Sequence, residues 1–111
     1  MELWLTRAGS HGEYKQKFLE EGRIYLTWEE LNADLGKLDD RQELMQLLER
    51  TYPEEKVKRL MNHASQIWPF AHSMQPGDWV VLPSKKQPVV YVGRITGDYT
   101  HAPAGPEPFY H

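Results

Sequence analysis

MQPGDWVVLPSKKQPVVYVGRITGDY, residues 74–99, is the stretch on which the fold turns. It opens with a turn, Pro76-Gly77-Asp78, and enters Trp79-Val80-Val81-Leu82, a β-rich run closed by Pro83. Ser84-Lys85-Lys86-Gln87-Pro88 has loop composition, and Val89-Val90-Tyr91-Val92-Gly93-Arg94-Ile95-Thr96 is a second β-rich run ended by Gly97-Asp98. Residues 79–96 therefore read as a β-hairpin. Trp79 lies inside a strand run, which assigns it to the core.

Upstream of the hairpin the period changes from two to 3.6. Val57, Leu60, Met61, Ala64 and Trp68 recur on one face of a helix, with Pro69 expected to kink or stop it near Trp68. Thr51-Tyr52-Pro53-Glu54 is the expected start of that helix, with Pro in the first turn. Asp39-Asp40 precedes another helix carrying Leu44, Leu47 and Leu48, and Glu43 stands three after Asp40 as in a capping box. Thr27-Trp28-Glu29-Glu30 has the same spacing and predicts a short helix through Leu31.

At the N-terminus, Leu3-Trp4-Leu5-Thr6-Arg7 reads as a strand, with Leu3 and Leu5 on one face and Trp4, expected in the core, on the other. Ala8-Gly9-Ser10-His11-Gly12 breaks it. Residues 13–21 have helical composition, with Gly22 as C-cap, and residues 23–28 (RIYLTW) read as a second strand. The tail from 102 to 108 holds three prolines and is expected to be extended or mobile. Strands cluster at the two ends of the chain and helices lie between them. The expected class is α+β, one domain over residues 1–111, with the strands forming a curved sheet or small barrel flanked by helices.

Composition excludes several functions. The 111 residues contain no cysteine, which removes disulfides and thiolate metal sites and fits a reducing cytoplasm. No run of 18 apolar residues occurs, so no membrane span is expected, and MELWLTRAG lacks the pattern of a signal peptide. Net charge is −3, against a protein that coats nucleic acid non-specifically, but it is unevenly spread. Residues 1–55 carry seven Lys/Arg against thirteen Asp/Glu, and residues 56–111 six against three. The second half could support a local phosphate contact surface, or the clustering is chance.

Catalytic chemistry finds little footing. No G-x-S-x-G, P-loop or G-x-G-x-x-G occurs, and none of the five histidines forms a close chelating pair. Glu54-Glu55-Lys56 superficially fits half of a nuclease motif, but acidic residues at a helix start are accounted for by the helix dipole. The expectation is a binding domain with no catalytic residue, metal or cofactor of its own.

Recognition is better supplied. Four Trp and six Tyr are many for this length, and aromatic rings stack on bases. Trp28, at the end of a strand, either projects into a pocket or covers the core edge. Trp68 continues a helical apolar stripe, which favours the core. Arg7, beside the glycine-rich turn, suits a phosphate or base edge. Asn62, Ser65 and Gln66 surround one helix and suit a base edge or solvent.

MELWLTRAG, RIYLTW and above all the 74–99 stretch resemble the N-terminal domain of Mrr-like, modification-dependent restriction endonucleases, which is similar to EVE and YTH domains of the PUA-like superfold. The resemblance rests on Trp4, Met74, Gly77, Asp78, Gly93, Ile95, Gly97, Asp98 and Tyr99 and covers most of residues 1–101. It implies a small twisted β-barrel flanked by helices, whose pocket accepts a flipped base between aromatic rings. By position, Trp28 would stack on the base, and Asn62, Ser65 and Gln66 would line the pocket beside Arg7. Trp68 and Tyr99 complete the candidate set. The implied partner is DNA with modified bases, with a nuclease domain in cis or trans. The alternatives are an RNA-binding PUA-like domain and a protein-interaction module.

Overall fold

The computed structural model describes residues 2–9, 11–84 and 87–111. Ser10 of the glycine-rich break and Lys85 and Lys86 of the hairpin loop lie outside the described residues. The elements are strand β1 (Leu3–Leu5), helix α1 (Lys15–Glu21), a 3-10 turn (Leu35–Lys37), helices α2 (Arg41–Thr51) and α3 (Val57–His72), and strands β2 (Trp79–Pro83) and β3 (Val90–Arg94). The α+β class holds.

The hairpin forms as expected. β2 and β3 pair antiparallel with Val80 opposite Gly93 and Leu82 opposite Tyr91. β1 joins β2 in parallel, giving an open sheet ordered β1-β2-β3. The join is secured by Asp78, which is buried. Its carboxylate accepts from the Glu2 N–H, the Trp4 indole N–H and the Gln75 N–H, each at 3.0 Å. The Trp4 and Glu2 hydrogen bonds hold this carboxyl below its ordinary pKa. One side chain thus ties the first strand to a turn more than seventy residues away. Trp4 is half-buried through that bond rather than being a core residue.

The two faces of the sheet differ. Val80 and Leu82 point inward, where Leu82 joins Ala8 and Phe18 in a small cluster. The outer face is apolar and uncovered: Leu3 is 67%, Leu5 63%, Val90 57% and Val92 59% exposed. Trp79, expected in the core, is exposed on this face beneath the Arg94 guanidinium, 5.4 Å from its ring.

The main core lies among the helices. Leu26, Leu31, Leu35, Leu44, Leu48, Leu60, Ala64 and Ile67 form one buried cluster. α2 begins where the sequence placed it: the Asp40 carboxylate accepts from the Glu43 N–H at 2.9 Å, and the Glu43 carboxylate accepts from the Asp39 N–H at 2.8 Å. Gly22 caps α1 in the left-handed region, φ 62°, donating its N–H to Phe18.

Several expectations are corrected. Residues 23–28 carry no ladder, because neither free edge of the sheet pairs with them. No helix starts at Thr27, since Glu30 takes a positive φ of 64° and turns the chain. Thr51 is the last residue of α2, its hydroxyl donating to the Leu47 carbonyl, and Pro53 stops that helix instead of starting the next. α3 continues through Pro69 to His72. Its buried stripe is Leu60, Ala64 and Ile67, while Val57 and Met61 are 61% and 58% exposed. The stripe is rotated because α3 packs on α2 rather than under the sheet. Finally, the segment from Ala102 is not extended. It turns back through a bond from the Ala102 N–H to the Tyr110 carbonyl at 2.7 Å. His111 is buried, its Nε2 donating to the Leu31 carbonyl and its Nδ1 accepting from the Tyr99 hydroxyl, both at 2.6 Å.

Candidate nucleic-acid interface

A cleft of about 1000 Å³ lies between three stretches: the end of β1 and its glycine turn, residues 25–29, and one face of α3 with the nearby Tyr52 and Glu55. Helix geometry supplies the third wall. Arg59, Asn62, His63, Gln66 and Pro69 recur at spacings of three and four beside the buried stripe of Leu60, Ala64 and Ile67.

The glycine turn is shaped by Gly9. Its φ is 89°, and a Cβ there would stand 2.3 Å from the Glu13 carboxylate and 2.8 Å from the Tyr14 ring. This close approach, with the Tyr14 N–H donating to the Ala8 carbonyl at 2.9 Å, folds the chain sharply after Arg7. Arg7 is exposed at the cleft mouth and forms no ion pair among the described residues.

Trp28 fulfils both readings left open by the sequence. It packs against the main core and also lines the cleft. The Tyr52 hydroxyl donates to the Glu29 carbonyl next to it, fixing the turn to the end of α2. Burial, with the carboxylates of Glu30, Glu107 and Glu29, pushes the Tyr52 pKa up to about 12, so the donor is retained. Behind Trp28 stands His63, edge-on at 5.6 Å from its ring and 6.5 Å from Tyr52. Its Nδ1 is enclosed without a hydrogen-bond partner among the described residues. Burial, followed by the charge of Arg59, lowers the His63 pKa and favours a neutral imidazole. Sequence reasoning found His63 no chelating partner and so no role; its place four after Arg59 and three before Gln66, on one helix face, was the available signal.

The polar groups of α3 are partly engaged. The Ser65 hydroxyl donates to the Asn62 carbonyl at 2.7 Å, and the Gln66 amide reaches the same oxygen at 3.4 Å. Pro69 has no N–H to offer the Ser65 carbonyl one turn back, so that oxygen lacks its helical donor on the cleft side. The charges are mixed. Arg59 pairs with Glu55 at 2.8 Å, and Glu13 and Glu29 also line the wall, so the cleft is not strongly basic.

Five of the seven candidate residues, Arg7, Trp28, Asn62, Ser65 and Gln66, therefore share this cleft. The other two do not. Trp68 stacks on His72 at 3.9 Å and packs against the main core, while the His72 Nε2 donates to the Leu35 carbonyl at 2.8 Å. The Tyr99 hydroxyl accepts from the Leu35 N–H at 3.1 Å and serves His111, and burial pushes its pKa up to about 12. Tyr99 borders a second cavity of about 570 Å³ beside β3. Among the described residues, no three of His, Asp and Glu are grouped as a metal site, and no helix is long and apolar enough to cross a membrane.

Fold and cleft together define a small α+β protein with one open, mixed aromatic and polar cleft against a helix face. The profile of the family described as a domain of unknown function (DUF8426) matches residues 4–111, and the chain belongs to that family. No curated protein and no solved structure matches it.

Proposed function

We propose that this protein is a PUA/EVE-like reader of a modified base in DNA, acting in the cytoplasm as the targeting module of a restriction endonuclease and carrying no catalytic residue itself. The small barrel implied by the resemblance would be an elaboration of the open sheet. One observation carries the reading: Arg7, Trp28, Asn62, Ser65 and Gln66, drawn from three separate stretches, line one cleft of about 1000 Å³. That volume is at the upper end for small-ligand sites and has room for a base with its sugar.

In this reading the flipped base stacks on Trp28, with His63 as the wall behind it. Extracting the base costs a few kcal/mol, and stacking on an aromatic ring returns about 1–3 kcal/mol. The Asn62 and Gln66 amides and the Ser65 carbonyl offer both donors and acceptors to the base edge. Arg7 meets one phosphate. Because Glu13 and Glu29 offset the cations, discrimination is carried by stacking and edge contacts, and with one phosphate met, log affinity falls with log salt at a slope of about −1.

The test is fluorescence anisotropy at fixed salt with short duplexes, either unmodified or carrying methylated, hydroxymethylated or phosphorothioate groups, and one RNA. Preference for one modified duplex, weakened about tenfold or more by Trp28→Ala, supports the reading. Equal binding across the panel, or a preference untouched by Trp28→Ala, removes it, and RNA preference replaces it with an RNA-binding role. The exposed apolar face formed by Leu3, Leu5, Trp79, Val90 and Val92 favours a second reading, protein interaction.

A further inference from the structure

We propose that the groove beside β3 takes up an extended polypeptide strand from a partner protein, adding a fourth strand to the open sheet. This groove is a different cavity from the cleft, although Thr6, Tyr25, Phe70 and Met74 border both, and its occupancy does not depend on base reading.

Ladder parity defines one wall. The Ser84 N–H donates to the Val89 carbonyl at 3.0 Å, and the Ile95 N–H to the Asp78 carbonyl at 2.8 Å. Residues 91, 93 and 95 therefore turn their amides toward β2, while the Val89 N–H donates to the Gln87 carbonyl at 2.8 Å, and the alternation of an antiparallel ladder turns the amides of Val90, Val92 and Arg94 away from β2. No further strand pairs with β3 among the described residues. Val90, Val92 and Arg94 thus present a row of open N–H and C=O groups, and their side chains are exposed.

The opposite wall is the run that sequence reading took for a strand. The Arg23 N–H donates to the Phe18 carbonyl at 3.1 Å. Beyond it, the main chain of Ile24 and Tyr25 makes no hydrogen bond within the described protein, although both residues are half-buried. Two consecutive half-buried residues with unmatched main-chain groups beside an apolar cavity are unusual, since sheltered main-chain groups are nearly always paired. Between the walls lies the cavity of about 570 Å³, lined by residues 22–25 on one side and 91–100 on the other. Phe18, Phe70, Val80 and Leu82 make an apolar floor.

An apolar slot flanked by unmatched amides calls for a ligand with donors and acceptors alternating along a line. An extended polypeptide meets that requirement, with apolar side chains at every second position facing the floor. A nucleic-acid backbone, which offers acceptors without alternating donors, does not. The rim holds exposed Arg23 and Arg94 against one carboxylate, Asp98, so the strand's outward positions suit acidic residues.

The probe is a fluorescein-labelled eight-residue peptide alternating valine and glutamate, titrated against the full chain. Three results support the proposal together: saturable binding, a loss of about tenfold or more when alternate peptide amides are N-methylated, and a similar loss with Val92→Pro. Proline at 92 removes an outward N–H and leaves the β2 ladder intact. If Val92→Pro fails to fold, the N-methylated peptide alone decides. No binding at millimolar peptide, or binding indifferent to N-methylation, overturns it. Concentration-dependent dimerisation abolished by Val92→Pro also overturns it, by assigning the edge to a second copy.

Discussion

In α2 and α3, Leu44 and Leu48 meet Leu60, Ala64 and Ile67, and every one of them is buried. In the sheet, Val80 and Leu82 are buried while Leu3, Leu5, Val90 and Val92 on the reverse face are more than half exposed. Both halves use the same apolar residue types at the correct period. A helix satisfies its main chain internally, so two helices need only find each other to complete a core. A strand depends on neighbours at both edges and layers on both faces. The sheet has one covered face, and among the described residues neither of its outer edges is paired. Strength is thus concentrated in the helices, while both cavities adjoin the sheet.

The sharpest way to break this contrast is to delete packing on each side. Leu48→Ala, at a fully buried position in α2, is expected to cost about 2–5 kcal/mol, measured as a shift in urea midpoint. Leu48→Ala costing under 1 kcal/mol would mean that the helical core is not what holds the fold.

A middle-sized effect is expected where the tail joins the two halves. His111→Phe strands the Tyr99 hydroxyl and the Leu31 carbonyl and is expected to cost about 1–3 kcal/mol at pH 7. Burial lowers the His111 pKa, so the unfolded chain takes up the proton more readily than the folded one. Stability is therefore expected to fall as pH drops through and below the ordinary histidine range, about 6.5. His63 is shifted in the same direction, chiefly by burial. The His111→Phe variant should show a flatter melting temperature between pH 7 and 5 than the parent. Parallel curves would show that His111 does not carry the dependence.

The smallest effect belongs to the outer sheet face. Leu3→Thr keeps β-propensity and removes an exposed side chain, so stability should change by no more than about 0.5 kcal/mol. A loss comparable to that of Leu48→Ala would mean that something covers this face in solution, and the contrast between the halves would disappear.

Legibility followed the same division. The hairpin, α1 with its Gly22 cap and the α2 start at Asp40 were readable because each rests on contacts a few residues apart. The helix expected at Thr27 and the strand over 23–28 were misread, and of the two outcomes expected at Pro69, a kink or a stop, the stop did not occur. Local signals at the first two were outweighed by a turn at Glu30 and by the absence of a pairing edge. Within the site, residue types suited to recognition could be named from the chain. That Trp68 and Tyr99 lie away from Arg7, Trp28, Asn62, Ser65 and Gln66 could not.

By itself, the sequence determined an α+β chain whose last two strands form a hairpin and whose middle is helical, because periodicity, turns and caps act over short distances. Only the tertiary structure decided which face of α3 is core and which is cleft, and that Asp78 holds β1. It also decided that His111 is buried. Each of these depends on groups dozens of residues apart meeting, which the rotation and docking of whole elements set and no local spacing records.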